Sequence, residues 1–275
     1  MINWILQKNI TNKNTLDRIK NVLNEQQVSF EEITVIPFSK EFPEIKNIEK
    51  YPIIYGSTTM MINAYKNPII KRGVFFDPEK FNMANYVQNW GDSMLNADGK
   101  LIQFKEVKKL QNNDHEFFIR PNSDEKEFAG KIFKTNELID WYRTIESLNI
   151  EQINPQTKIW IAKPKMILKE WRIFIVDKRI VSVSKYMENQ QINIDNQDIP
   201  SSLINFTTDR ILEYQPNDIF VMDIALTKNS YKIIECNCFN GTGFYNHDIE
   251  KIVKLINKKI RGLVPNIAPS GNGLK

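Results

Sequence analysis

The chain has 275 residues, of which 41% are apolar and 25% charged, with a formal net charge of +4. That length exceeds the usual single domain and predicts two domains or one domain with subdomains, and the composition is that of an ordinary globular protein. No uninterrupted apolar run of about 18 residues occurs, so no membrane-spanning helix is expected. The mild positive charge is dispersed along the chain and does not argue for a nucleic-acid partner. The opening MINWILQKNITNKN lacks a sustained apolar core and a small-residue cleavage site, so it does not read as a signal peptide and a cytoplasmic location is expected. The two cysteines, Cys236 and Cys238, share one face of a strand and read as reduced core thiols; a zinc site completed by His247 is the alternative.

In chain order, residues 3–6 predict a first strand, and Thr15–Gln26 a helix with Leu16, Ile19, Val22 and Leu23 on one face. A strand follows over Phe30–Ile36, closed by Pro37, and another over Tyr51–Tyr55. The turn Gly56-Ser57-Thr58 then offers hydroxyls to cap a helix over Thr59–Tyr65, or alternatively an anion site at that helix's N-terminus. This alternation predicts a small α/β domain over residues 1–110. Its later part reads as a strand at Gly73–Phe76, a helix at Ala84–Trp90, a turn at Asp98-Gly99 and a helix at Gln103–Leu110.

From residue 115 long β runs dominate. His115–Ile119 leads into Arg120-Pro121, a polar loop and a strand at Phe128–Phe133. A helix over Asn136–Leu148 turns Leu138, Trp141, Ile145 and Leu148 inward. The strand Ile159–Ala162 ends at Lys163-Pro164. A hairpin over Ile167–Tyr186 turns at Asp177-Lys178; a two-residue loop there sets Glu170 opposite Lys185 and Arg172 opposite Val183. Three charged groups on one face of an apolar hairpin form either a cross-strand salt bridge or the wall of a polar site. Residues 187–199 read as a flexible loop, Ser202–Leu212 and Asp248–Ile260 as helices, and 264–275 as a flexible tail.

The most informative stretch is a second hairpin, Ile219–Leu226 and Tyr231–Asn237 about Thr227–Ser230. Asp223, Glu235 and Asn237 sit where a buried strand should be apolar, and Glu235 and Asn237 share a face. Two adjacent buried carboxylates are costly. A hard divalent cation resolves the conflict, since it takes carboxylate and amide oxygens and leaves positions for phosphate. The alternative is a solvent-facing acid pair on an edge hairpin. Shared ligation requires Asp223 and Glu235 to face one side, through a three-residue loop Lys228–Ser230 or through a β-bulge.

No Gly-x4-Gly-Lys-Ser/Thr phosphate loop is present. In order, FFIRPNSDEKEFAGKIF, ILKEWRIFIVDKRIVSVSKY, FVMDIA and KIIECNCFNGTGFYNHD resemble the ATP-grasp superfamily, most closely the bacterial and phage clade named for one arginine and two lysines. The resemblance covers residues 115–260. It implies an α/β (α+β) ATP-grasp fold over 111–263, lid-like at 115–190 and metal-binding at 200–263, behind a smaller N-terminal α/β domain on the acceptor side. It further implies ATP and Mg²⁺ (or Mn²⁺) as cofactors. The implied activity joins a carboxylate to an amine or thiol through an acyl phosphate, releasing ADP and phosphate. The implied acceptor is a small molecule, a peptide or a protein terminus.

By the same resemblance Arg120, Arg172 and Lys185 are the catalytic cations, and Lys126 and Lys131 are the lid and strand lysines on phosphate. Ile161 and Lys163 lie in the hinge that bonds adenine, Glu170 and Arg172 form the Glu-x-Arg pair, and Asp223, Glu235 and Asn237 are the metal ligands. Two departures stand out: Lys163-Pro164 replaces the acid that many members place on the ribose, and the 122–130 loop is not glycine-rich. The rival functions on the same fold are a small-molecule kinase and a non-catalytic nucleotide-binding module.

Overall fold

A computed structural model describes residues 1–263 apart from Thr11, Phe38, Lys40, Asn112, Asn113, Lys126 and residues 149–151. The chain divides into two compact units, Met1–Val74 with the residues from Asp248 onward, and Phe75–His247. The boundary between these units lies at Val74, and the closing helix, Ile249–Leu263, groups with the N-terminal sheet. The expected tail at 264–275 lies outside the described residues.

In the first unit β1 (Ile2–Gln7) is followed by α1 (Lys13–Glu25), β2 (Ser29–Ile33), β3 (Tyr51–Tyr55) and α2 (Thr58–Lys66). The sheet is parallel, in the order β2-β1-β3. All six residues of β1 are buried, as a central parallel strand requires. Helix α1 buries the expected Leu16, Ile19, Val22 and Leu23 and packs against the closing helix. That helix is drawn in by a buried indole: Trp4 Nε1 donates to Asn257 Oδ1 at 2.8 Å. Strand β2 ends at Ile33, short of the expected Ile36. Beyond it β1 supplies no partner, and the Asn9 side chain takes over instead, donating to the Val35 carbonyl and accepting from the Val35 amide. Ser57 caps α2 by accepting from Met60 N–H, and its own N–H is held by Gln7 Oε1 at 2.7 Å.

The strand expected at Gly73–Phe76 is an extended segment over 74–76 instead, and where the second unit opens Phe75 N–H donates to the Asn240 side chain. Then come α3 (Met83–Trp90), β4 (Lys100–Gln103), β5 (Glu116–Pro121), β6 (Lys131–Lys134), α4 (Thr135–Leu148) and β7 (Lys158–Ala162). The helix expected at Gln103–Leu110 is a 3-10 helix, Phe104–Lys109, begun by Glu106 accepting from Gln103 N–H. The sheet β4-β7-β5-β6 is antiparallel. One face carries Ile119, Ile159 and Ile161 against Leu138, Tyr142 and Ile145 of α4. Leu148 is 61% exposed, because the buried stripe of α4 runs through Tyr142 and ends at Ile145.

The larger sheet comprises β8 (Lys169–Val176), β9 (Arg179–Glu188), β10 (Gln191–Asp195), β11 (Ile219–Leu226) and β12 (Tyr231–Cys238), with α5 (Ser201–Glu213) between β10 and β11. Its order is β10-β9-β8-β11-β12, antiparallel throughout. Asp177-Lys178 and Asn189-Gln190 both adopt positive φ, the signature of tight two-residue hairpin turns. The second turn makes strand β10 out of the expected loop at 187–199.

Two bulges in the β8/β9 ladder, between Phe174 and Ile175 and between Glu170 and Trp171, change the expected pairing. Arg172 lies opposite Ser184, Glu170 opposite Met187, and Lys185 opposite Trp171. In the β11/β12 hairpin the loop is Thr227–Ser230, one residue longer than the three-residue loop expected. Ile234 is the surplus residue of a bulge that brings Asp223 opposite Glu235 all the same. A single row therefore crosses four strands: Ser184, Arg172, Asp223, Glu235.

At Gly99 an added Cβ would lie 2.1 Å from Trp160 Nε1, which donates to the Asn96 carbonyl. Gly99→Ala is expected to lower stability by about 1–3 kcal/mol, measured as a fall in the urea midpoint at unchanged slope.

Candidate functional site

Within the second unit a cavity of about 490 Å³ is lined by Phe118, Arg120, Glu170, Tyr186, Asp223 and Glu235 among others. Alternation along β5 turns Arg120 away from the Ile119 core and into this cavity. The buried Arg120 Nη1 lies 2.8 Å from Glu235 Oε2, and its Nη2 lies 4.0 Å from Asp124 Oδ1. The Asp124 end of the following loop is pinned, since Asp124 N–H donates to the Phe81 carbonyl and Asn122 accepts two N–H groups at the start of α3.

Across the row, Arg172 meets Asp223 with its fork: Nε to Oδ1 at 2.9 Å and Nη2 to Oδ2 at 2.7 Å. Such bidentate pairing fixes the guanidinium plane as well as its charge. Asn237 Nδ2 donates to Asp223 Oδ2 at 3.1 Å and to Glu235 Oε1 at 3.2 Å. One amide reaching both acids places the two carboxylates on the same side. Each acid is paired with an arginine, one from each sheet.

Glu170 shares the cavity, and its carboxyl accepts from Tyr186 OH at 2.6 Å. Burial, with Asp223 and Glu235 nearby, pushes the Glu170 carboxyl above its ordinary range despite that hydrogen bond. The Tyr186 ring stacks on Tyr245, with centroids 4.9 Å apart and planes at 9°.

The donor set suits a hard divalent cation that arrives with other ligands. Two carboxylates and an amide lie within reach of one another, too few to complete a shell, so phosphate oxygens and water would supply the rest. Among the described residues no group of three or more His, Cys, Asp or Glu side chains converges as a metal site. Cys236 and Cys238 are buried thiols outside any disulfide, and Cys238 Sγ donates to Asn240 Oδ1.

Several residues singled out from the sequence lie elsewhere. Lys185 shares the Trp171 face of the sheet, bonded to Glu188 and Asp198, which also hold Lys169. Lys131 pairs with Ile119 and therefore faces the α4 side, its Nζ 4.9 Å over the Phe133 ring. The Ile161 side chain is in the α4 core. Lys163 lines a separate cavity with Lys100, Lys109 and Phe117. Lys126 lies outside the described residues. Conversely, Tyr186 and Tyr245 join the site without having been predicted. Tyr186 is masked by the pairing expected for its neighbour Lys185, and no local signal marks Tyr245.

His247 packs its ring against Phe174, with Nδ1 2.9 Å from Ser182 Oγ. Burial, then the charge of Arg172, push it down to about 3. Its unfolded value is near 6.5, so the stability it contributes is fully present above that pH and is lost as pH falls toward 3, on the order of several kcal/mol over the window. His247→Gln is expected to flatten the decline of stability between pH 6.5 and 3, as followed by urea titrations.

The profile of an ATP-grasp domain, family 2 of the clade named for one arginine and two lysines, matches residues 98–255, more than half of the chain. No curated protein matches the sequence. Among solved structures, the chain is similar to a RimK domain protein ATP-grasp from Sphaerobacter thermophilus, with a TM-score of 0.65 at 8% identity over 93% of this chain and 99% of that one. It is also similar to D-alanine–D-alanine ligase from Bacillus anthracis, with a TM-score of 0.57 at 12% identity over 94% and 96% of the two chains. A third is the ATP-grasp ligase PsnB, complexed with a phosphomimetic variant of its minimal precursor, Mg and ADP, with a TM-score of 0.53 at 8% identity over 94% and 98%. At such identities the likeness is one of fold. Among the described residues no helix is long and apolar enough to cross a membrane.

Proposed function

Because the chain belongs to family 2 of the ATP-grasp clade named for one arginine and two lysines, we propose that this ATP- and Mg²⁺-dependent ligase joins a carboxylate to an amine through an acyl phosphate. The observation that carries this reading is the pairing of Arg172 with Asp223 and of Arg120 with Glu235, where Asp223, Arg120 and Glu235 line one cavity. Bound there, Mg²⁺ would neutralise charge on the phosphate oxygens. Asp223 and Glu235 would hold it, with Asn237 offering Oδ1 once its amide turns. Arg172 and Arg120 then face the phosphates in place of the carboxylates they neutralise. The exchange leaves no buried charge unpaired, which suits metal and nucleotide entering as one unit.

In the reaction a substrate carboxylate oxygen attacks the γ-phosphorus and ADP leaves; the amine then displaces phosphate from the carbonyl carbon and gives up a proton. Arg172, its planar fork turned from Asp223 toward the phosphates, would stabilise charge on the transferring phosphoryl group. Glu170 fixes Tyr186 at the edge of the same cavity. Lys126, between β5 and β6 in sequence, is assigned to the phosphates by family resemblance alone. The acceptor class includes peptides, on the likeness to PsnB, which is complexed with a precursor.

Calorimetry is expected to show Mg²⁺ alone binding weakly and a non-hydrolysable ATP analogue binding at least about tenfold tighter with Mg²⁺ than without it. Glu235→Gln should abolish that metal dependence. Equal nucleotide affinity with and without Mg²⁺ would overturn the assignment. Incubated with ATP, Mg²⁺ and a metabolite pool, the protein should release ADP and new amide products by mass spectrometry; AMP release would point to different chemistry. Arg172→Lys keeps the charge and loses the fork, and is expected to lower turnover on the order of 10²-fold.

A further inference from the structure

Arg172 has a third support besides Asp223 and the long contact from Nη1 to the Gly243 carbonyl at 3.4 Å. Its Cζ lies 5.0 Å from the centroid of the Tyr245 ring and 5.7 Å from that of Tyr186. The two rings are stacked on each other, and Tyr186 is fixed in turn by its hydroxyl on Glu170. We infer that Tyr245 is a positioning residue, which with Tyr186 holds the Arg172 guanidinium in the plane that meets the terminal phosphate.

The segment that carries Tyr245 is built to present it. On one side Phe244 stacks on Phe174, with centroids 4.7 Å apart and planes at 20°. On the other, Asn246 N–H donates to Ser184 Oγ at 3.3 Å, and His247 is bonded to Ser182. Phe174, Ser182 and Ser184 stand on β8 and β9 beside Arg172 or opposite it, so this loop is registered to the strands that carry the arginine. Tyr245 is nevertheless 38% exposed. A large aromatic held this firmly, yet buried so little, contributes through its ring face rather than through core packing.

The need for such a support follows from the proposed function, on which this inference rests. Asp223 orients Arg172 through both of its oxygens. Once Asp223 gives an oxygen to a metal, that hold weakens at the moment when the fork must aim at phosphate. Attraction between a guanidinium and an aromatic face asks nothing of the carboxylate and persists through the exchange. The ring pair should therefore matter for a triphosphate, whose terminal group Arg172 meets, and not for a diphosphate.

The test measures binding of Mg·ADP and of Mg·AMPPNP to wild type, Tyr245→Phe and Tyr245→Leu by calorimetry. Tyr245→Leu is expected to reduce the preference for the triphosphate by about tenfold, with Mg·ADP affinity unchanged. Tyr245→Phe, which keeps the ring, should retain the wild-type preference. A general structural defect would move both nucleotides together, and Tyr245→Gln repeats the measurement if the leucine variant folds poorly. The inference is overturned if Tyr245→Leu keeps the wild-type ratio, or if Tyr245→Phe is as impaired as Tyr245→Leu. Failure of the underlying reading is distinct: wild type itself would then bind neither nucleotide with Mg²⁺.

Discussion

Everything at the centre of the second unit is arranged around two carboxylates that face each other across a hairpin, each matched by an arginine. Removing Arg172 would leave the buried Asp223 without its counter-charge, at a cost of several kcal/mol. Replacing a whole buried pair by apolar groups is often neutral or stabilising, so such pairs are weak evidence for stability. Their retention here, on facing strands and facing sheets, is better explained by what they do. Arg172–Asp223 and Arg120–Glu235 keep four charges solvated by one another, with Arg120, Asp223 and Glu235 at the cavity wall and Arg172 directly behind Asp223.

The two faces of the large sheet divide the charged side chains between two tasks. On the Arg172 face they converge on the cavity. On the Trp171 face Lys169, Lys185, Glu188 and Asp198 neutralise one another, while Trp171 Nε1 donates to the Asp198 carbonyl. That network ties the segment after β10 to the middle of the sheet. The same residue types thus serve as a fastening on one side and as reactive machinery on the other, separated only by the pleat.

Much of this was legible in the sequence, and the limits have physical causes. Asp223, Glu235 and Asn237 were visible because acids and amides interrupt apolar runs, and Arg120 because it closes one. Side-chain direction was not visible wherever it depends on pairing parity. One bulged residue reverses the face of everything beyond it. The bulges in β8/β9 moved Lys185 away from Glu170, and the pairing of Lys131 with Ile119 set that lysine on the helix side. The allegiance of the closing helix was equally hidden, since it rests on packing of Ile252, Val253, Ile256 and Ile260, with a bond from Trp4 to Asn257, between segments far apart in sequence. Tyr245 carries no pattern at all; only the approach of Arg172 in space gives it meaning.

The surplus residue at Ile234 makes the hairpin unequally tolerant of changes in length. Loss of any one residue between Tyr231 and Ile234 would leave three to pair with Ile224–Leu226, and the ladder would become regular with Asp223 still opposite Glu235. Loss of Cys236 has no such slack and would slide Asn237 to the other side of the strand. Descendants of this sequence could therefore shorten β12 before the acid with the acid pair and its amide intact, whereas shortening it at Cys236 would keep the acid pair and turn the amide away.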